Sequence, residues 1–470
     1  MKLFATIIAL AGVFTATAQT HHEANISKWQ FSHTGAEWKA VTVPHDWAIS
    51  GPFDKKWDLQ MVAIKENGED KPTEHSGRSG SLPWIGKGFY KTTIHIAEGT
   101  AYAELKFNGA MAAPEVSVNG KKAGHWAYGY NAFRVDITPY IHAGDNLIEV
   151  ALENEEESNR WYPGGGIYRP VTLITHANKS RLDLWGLQMQ TLSIDGGSAL
   201  IDIRHESKDI PADAMLKVTV TDKGGKVVAN ASSPADGMGG FHTQLNIANP
   251  QLWSPETPSL YDVKLSLVAD GKTLDVQHQK LGVRTMKFSA EGGFQLNGVT
   301  RKIKGVCLHH DLGPLGAAVN KAAIIRQIRI MKDMGADAIR TSHNMPSTMQ
   351  MEVCDSMGMM VMAESFDGWK EPKVRNGYGK LWDEWWQKDI TNLILNHRNH
   401  PSIIMWSVGN EIPEQWKPEG VERYKHLTAL CHRLDPSRQV TCGMDQPDGT
   451  MWAGFAQVAD VPGYNYRVHK

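Results

Sequence analysis

The 470-residue sequence holds only four cysteines, Cys307, Cys354, Cys431 and Cys442. They form no CxxC pair and no Cys/His spacing of the metal-site kind, which argues against a disulfide framework or a zinc ribbon. They read as buried thiols, with a Cys431–Cys442 pairing left open by the spacing. Net charge is just as scarce, because 49 Lys plus Arg meet 51 Asp plus Glu for a formal −2. Nothing in that balance calls for nucleic acid or an anionic membrane, and a small or neutral substrate fits it better. Long apolar runs are missing except at the amino terminus. There, "MKLFATIIALAGVFTATAQT" carries Lys2, an apolar stretch from Leu3 to Phe14, and small residues Ala16 and Ala18. That layout predicts a secretory signal over residues 1–18, too short in its apolar part to anchor, and export, with the bacterial periplasm the expected compartment. No cysteine follows the expected cut, so no lipid anchor is expected at that point. No other run of about 18 apolar residues occurs, so no membrane span is expected.

What is present is length and rhythm. At roughly 150 residues per domain the chain has room for about three. Over residues 19–178, "AYAELKFNGA", "APEVSVNGKKAG" and "DNLIEVALEN" alternate apolar and polar residues at period two, the pattern of antiparallel strands with one buried face. Residues 179–286 repeat the idiom in "SALIDIRHES" and "YDVKLSLVADGKTLDVQHQ", and their size and strand number suit an immunoglobulin-like β-sandwich. From residue 287 the rhythm changes to strand alternating with helix. "RKIKGVCLHH" reads as a strand, Asn320 opens a helix carrying Ile324, Ile328 and Met331, and Gly335 stops it. "ADAIRTSH", "MMVMAES", "SIIMWSV", "RQVTCG" and "ADVPGYNY" supply further strands, with helices between them. Such alternation implies a parallel sheet, and eight units would close a barrel, of which about six are present.

In a parallel barrel the functional groups collect at the C-terminal ends of the strands. Successive ends here carry His309 and His310, then Arg340, His343 and Asn344, then Glu364 and Asp367, then Asn410 and Glu411. One polar residue after one strand is commonly a cap or a loop residue. Four consecutive ends bearing ionisable groups predict one shared mouth. Glu411, aimed by the buried run Ile403–Val408 and screened by Trp406 and Trp416, is expected to have a raised pKa and to act as a general acid.

Several stretches carry a resemblance to glycoside hydrolase family 2. "VPHDW", "GKGFYKTTIHI" and "WYPGGGIYRPVTL" resemble its N-terminal jelly-roll, while "LWSPETPSLYDVKLSL" and "LGVRTMKF" resemble its immunoglobulin-like domain. "KGVCLHHD", "IRTSHN" and "WSVGNE" resemble its (β/α)8 TIM barrel, here incomplete. The resemblance implies a retaining exo-glycosidase that removes a terminal β-linked sugar from an oligosaccharide or glycan. β-Galactosidase is the role it favours, with β-glucuronidase or β-mannosidase as alternatives.

By the same resemblance Glu411 is the acid/base, Asn410 bonds the sugar 2-hydroxyl, and His309 and His343 line the sugar pocket. The family's more common Asn-Arg before the first of these histidines is Cys307-Leu308 here. Asn344 is a further pocket candidate. Arg340 orients carboxylates, while Glu364 and Asp367 fall where some members bind sugar hydroxyls or a cation. The local "AESFDGW" lacks the Glu-x-His of metal-using members, so neither a metal nor another cofactor is assigned. Asn159 and Trp161 sit where the jelly-roll of some relatives reaches the mouth, and Tyr466, with Tyr464 as competitor, matches a tyrosine that contacts the nucleophile. No acid of the 470 residues matches that nucleophile, and two barrel strands are unaccounted for. The expectation is therefore a piece of a longer protein, inactive by itself. Two readings of other classes stay open, a metal-dependent barrel hydrolase and a non-catalytic glycan-binding protein. Adjacent His309 and His310 point to opposite sides of a strand, which weakens the first. Self-association is also left open.

Overall fold

The computed structural model describes residues 20–51, 54, 61–62, 74–75 and 85–466. The expected signal segment, 1–18, lies outside them.

The amino-terminal region is a sandwich of two antiparallel sheets. One has four strands in the order His21–Asn25, Val171–His176, Tyr102–Phe107, Phe133–Asp136. The other has six: Lys39–Thr42, Lys28–Ser32, Gly86–Ile96, Gly144–Asn154, Glu115–Val118 and Lys121–His125. Period-two alternation builds the core directly. Along Gly144–Asn154, Ile148, Val150 and Leu152 point inward and are buried, while Leu147 and Glu153 face out. The hairpin from Val118 to Lys121 turns on Asn119 and Gly120, both at positive φ (51° and 76°), the pair that matches the twist of flanking strands. A second sandwich follows, with three strands facing four between Arg181 and Leu281.

Six parallel strands then stand side by side in chain order: Gly305–Leu308, Ala338–Thr341, Met360–Glu364, Ile403–Asn410, Gln439–Met444 and Gly463–Tyr464. They form part of a barrel wall. Every residue of Ile403–Asn410 is buried, which is why that segment reads as an unbroken apolar run rather than an alternating one. Asn320 caps helix Lys321–Asp333 by accepting from the Ala323 amide, and left-handed Gly358 ends helix Thr348–Met357. Among the described residues no helix is long and apolar enough to cross a membrane.

Two buried arginines tie the three units together. Arg169, in the first sandwich, donates to the carbonyls of Met345 and Pro346 in the barrel. Arg398, in the barrel, donates to those of Trp185, Gly186 and Leu187 in the second sandwich. All four cysteines are free thiols, which answers the open Cys431–Cys442 pairing, and Cys354, Cys431 and Cys442 are buried as expected. Cys307 departs from that expectation and is exposed, because it lies on the edge strand of the parallel sheet.

Candidate active site

The fourth barrel strand delivers Asn410 and Glu411 to the mouth. It can pass there because Gly409 has no side chain: a Cβ would meet Ile412 Cδ1 at 2.7 Å and Trp369 Nε1 at 2.8 Å. Glu411 leaves the strand at φ +45°, and its amide donates to the Gly443 carbonyl at 2.6 Å, so the neighbouring strand holds the turn.

Around this tip the charged groups form one connected network. Arg160, from the first sandwich, grips Asp367 with two bonds, Nε to Oδ2 at 2.7 Å and a terminal nitrogen to Oδ1 at 2.6 Å. The same guanidinium stands 4.0 Å from Glu411 Oε2. Lys373 donates to Asp367 at 3.0 Å and to the Asn410 carbonyl at 2.7 Å. Asn410 is fully buried and its side chain makes three bonds: its Oδ1 accepts from Arg340 at 2.9 Å and Asn465 at 3.0 Å, and its Nδ2 donates to Asp367 at 3.0 Å. Asn465 also donates to Glu411 Oε1 at 3.0 Å, and Tyr466 hydrogen-bonds the same carboxylate.

One wall of the mouth is made of rings. Trp161 packs on His309 at 4.4 Å between centroids, and His309 meets His343 edge-on at 5.5 Å. His343 is fixed through its Nδ1, 2.5 Å from Glu364 Oε1. Burial, with the neighbouring His343, lowers the pKa of His309 and keeps it neutral. Asn159 donates to the Tyr130 hydroxyl at 2.6 Å and accepts from the Trp161 amide at 3.0 Å, fixing the loop that presents Trp161. Asn344 is buried beside the Tyr128 hydroxyl, 3.4 Å away, with its Nδ2 lacking a partner. His310 points away from this wall and packs edge-on against Tyr130 and Tyr168, where burial pushes its pKa down to about 3. A cavity of about 160 Å³ opens where sandwich and barrel meet, lined by Tyr128, Tyr130, Arg160, Asp367 and Lys373 among others.

Three expectations need correction. Glu411 is not screened by tryptophans, because Trp406 is buried on the far side of its strand with its Nε1 on Asp435 and Trp416 is exposed. Burial does push the Glu411 carboxyl upward, but the bonds from Tyr466 and Asn465 and the charges of Lys373 and Arg160 outweigh it and lower the pKa. As it stands, Glu411 is a carboxylate. Glu364 is not available to a sugar or a cation, since it is 0% exposed and paired with Arg340 at 2.6 Å, His343 at 2.5 Å and the Ser407 hydroxyl at 2.5 Å. Its position makes it the orienter of Arg340 and His343. Tyr466 contacts Glu411, whereas Tyr464 turns to the Met451 sulfur at 3.6 Å.

Arg160, Lys373 and Asn465 were not anticipated. Arg160 and Asn465 each lie between residues already singled out, Asn159 and Trp161 in one case, Tyr464 and Tyr466 in the other. Lys373 sits in the long loop after the third strand, in a stretch with no distinguishing pattern.

The chain matches three consecutive models of one family. These are the sugar-binding domain of glycosyl hydrolases family 2 over residues 9–177, the central family 2 domain over 186–284, and the family 2 TIM barrel domain over 289–461. It is 34% identical to the β-galactosidase BoGH2A of Bacteroides ovatus, with 96% of this chain and 56% of that protein covered. A β-glucuronidase of Bacteroides fragilis is 31% identical, with 90% and 60% covered. Among solved structures, a glycosyl hydrolase family 2 member from Bacteroides cellulosilyticus superposes with a TM-score of 0.86 at 32% identity, covering 95% of this chain and 59% of that one. A β-glycosidase from Bacteroides vulgatus gives 0.81 at 34% identity, covering 94% and 56%. The chain thus spans a little over half the length of these relatives. Three domain models in the family's order, joined to a fold of the same architecture, establish that this chain belongs to glycosyl hydrolase family 2.

Proposed function

We propose that this chain carries the acid/base half of a retaining exo-glycosidase acting on terminal β-linked sugars, with β-galactosides as substrates. One observation carries the reading. Glu411 is the acid that follows a fully buried strand into the mouth, next to Asn410 and 4.0 Å from Arg160, whose chain neighbour Trp161 begins the ring wall with His309 and His343. In the first step Glu411 would give its proton to the glycosidic oxygen, and in the second it would take one from water. Its lowered pKa in the free site fits the second role. A second carboxylate about 5 to 5.5 Å away would raise it by like-charge repulsion and suit it to the first.

A neutral sugar is favoured over a uronic acid because the cations described at the mouth are already paired, Arg160 and Lys373 with Asp367 and Arg340 with Glu364. The similarity to the Bacteroides ovatus β-galactosidase points the same way. The amino-terminal pattern of Lys2 followed by Leu3 to Phe14 supports export, with the periplasm as the proposed compartment.

The test is hydrolysis of aryl β-galactoside, glucuronide, mannoside and glucoside by this chain and by a version extended at its carboxyl end. We expect the extended version to prefer the galactoside and Glu411→Ala within it to lose about 10²- to 10⁴-fold in kcat. Turnover that survives Glu411→Ala unchanged removes the assignment. Tight glycan binding without turnover by either version would instead favour a non-catalytic binding protein.

A further inference from the structure

We propose that His21, His176 and Asp275 form a zinc-binding clasp that fastens the first sandwich to the second. His21 and His176 are directly opposed across an antiparallel strand pair, so the register itself brings their rings together, 4.5 Å between centroids. Asp275 comes from the other sandwich, on the strand Lys272–Leu281, and is completely buried. One ligand atom from each of the three residues lies within 4.8 Å of the others.

The spacing of the donors suits an ion as well as a hydrogen-bonded cluster, in which His21 Nδ1 and Asp275 Oδ1 already bond. His21 Nδ1 is 3.2 Å from Asp275 Oδ1 and His176 Nδ1 is 3.3 Å from Oδ2. Ligands bound to zinc at about 2.0–2.1 Å and at tetrahedral angles stand about 3.3 Å apart. His176 is 4% exposed, yet its Nδ1 lacks a partner of hydrogen-bonding geometry. A buried nitrogen left in that state costs stability unless something fills the place.

The surroundings also match a metal site. His21 Nε2 lies 3.0 Å from Glu23 Oε1, the carboxylate–histidine pairing that fixes the ring of a metal ligand. Asp275 is aimed by two backbone donors, the amide of Leu182 at 2.8 Å to Oδ2 and that of Val276 at 2.9 Å to Oδ1. Two imidazoles and one carboxylate are a donor set suited to zinc, with a water completing four. A cavity of about 1460 Å³ between the three units is lined by His21 and Glu23 and offers the entry path.

The experiment uses the full chain without an added histidine tag, stripped with chelator and titrated with zinc chloride in a calorimeter, with Tm followed in parallel. We expect one zinc per chain and a Tm that rises with zinc and falls back with chelator. His21→Ala, at a partly buried strand end, is expected to keep the far-ultraviolet spectrum of the fold while losing stoichiometric binding and the zinc-dependent Tm shift. Glu23→Gln, which leaves all three ligands in place, is expected to weaken binding about 10-fold. The proposal is overturned if the parent chain binds no stoichiometric zinc, or if His21→Ala, still folded, binds it as tightly as the parent.

Discussion

Two aspartates of the barrel, the half-buried Asp367 and the fully buried Asp389, meet the first sandwich in opposite ways. Asp367 receives Arg160 from the sandwich and Lys373 from its own loop, and these charges hold its pKa well below the ordinary carboxylate range despite burial. Asp389, on helix Trp382–His397, receives only neutral donors: Trp126 Nε1 at 2.8 Å, Asn131 Nδ2 at 2.8 Å and the Tyr378 hydroxyl at 2.5 Å. With no cation bonded to it, burial wins and its pKa is raised to about 7. The same interface thus places a fixed anion at the mouth and a titrating acid on its flank. Charge is supplied to Asp367 where sugar chemistry is proposed, and neutral hydrogen bonding suffices round Asp389, away from the mouth.

Glu364 is the strongest test of the charged half. It is enclosed completely, and replacing it by Gln leaves the half-buried Arg340 guanidinium without its anion. Loss of about 3–5 kcal/mol is expected, measured by denaturant unfolding. A loss under about 1 kcal/mol would mean that Asn410 and water suffice to hold Arg340. Asp367→Asn comes next. Arg160 and Lys373 lose a charged acceptor, at a cost of about 1.5–3 kcal/mol. Freed of Asp367, both cations can move onto Glu411 and lower its pKa further, so the basic limb of the kcat/KM profile of the extended protein, which Glu411 sets as the general acid, should shift downward. An upward shift would break the account of Glu411 as a group controlled by these cations.

Much of the scaffold was legible because its signals are local. The unbroken apolar run Ile403–Val408, the cap at Asn320 and the stop at Gly335 each depend on residues within a few positions. Strand ends were legible too, so His309, His343, Asn410 and Glu411 could be assigned to one mouth from alternation alone. What was not legible depends on partners far away in the chain. Arg160 reaches Asp367 across 207 positions, and no periodicity encodes that approach. Nor does a sequence say whether an acid at a strand end is open or saturated. Glu364 and Glu411 look alike in that respect, yet three partners close the first, and the second keeps 13% of its side chain exposed. The expected tryptophan screen failed for a related reason: Trp406 alternates to the outer side of its strand, toward Asp435, rather than to the mouth.

The smallest effect is the most informative about the neutral half. Because the folded pKa of Asp389 lies above its ordinary value of 3.8, the folded state keeps a proton that the unfolded chain has already lost. Between those values the native state binds more protons, so its stability falls as pH rises from about 4 to about 7 and levels off above. Asp367, with a lowered pKa, works in the opposite sense, stabilising above the ordinary carboxylate range and losing its contribution as pH falls. Asp389→Asn should keep an acceptor for Trp126 and Asn131 while removing the titration. At pH 5 the variant should lie within about 1 kcal/mol of the parent. By pH 8 the gap should close or reverse in the variant's favour, because only the parent then buries a charge at that position. Urea unfolding of both proteins across this range decides it. If the gap widens against the variant with rising pH, Asp389 is ionised in the folded state and the contrast with Asp367 disappears.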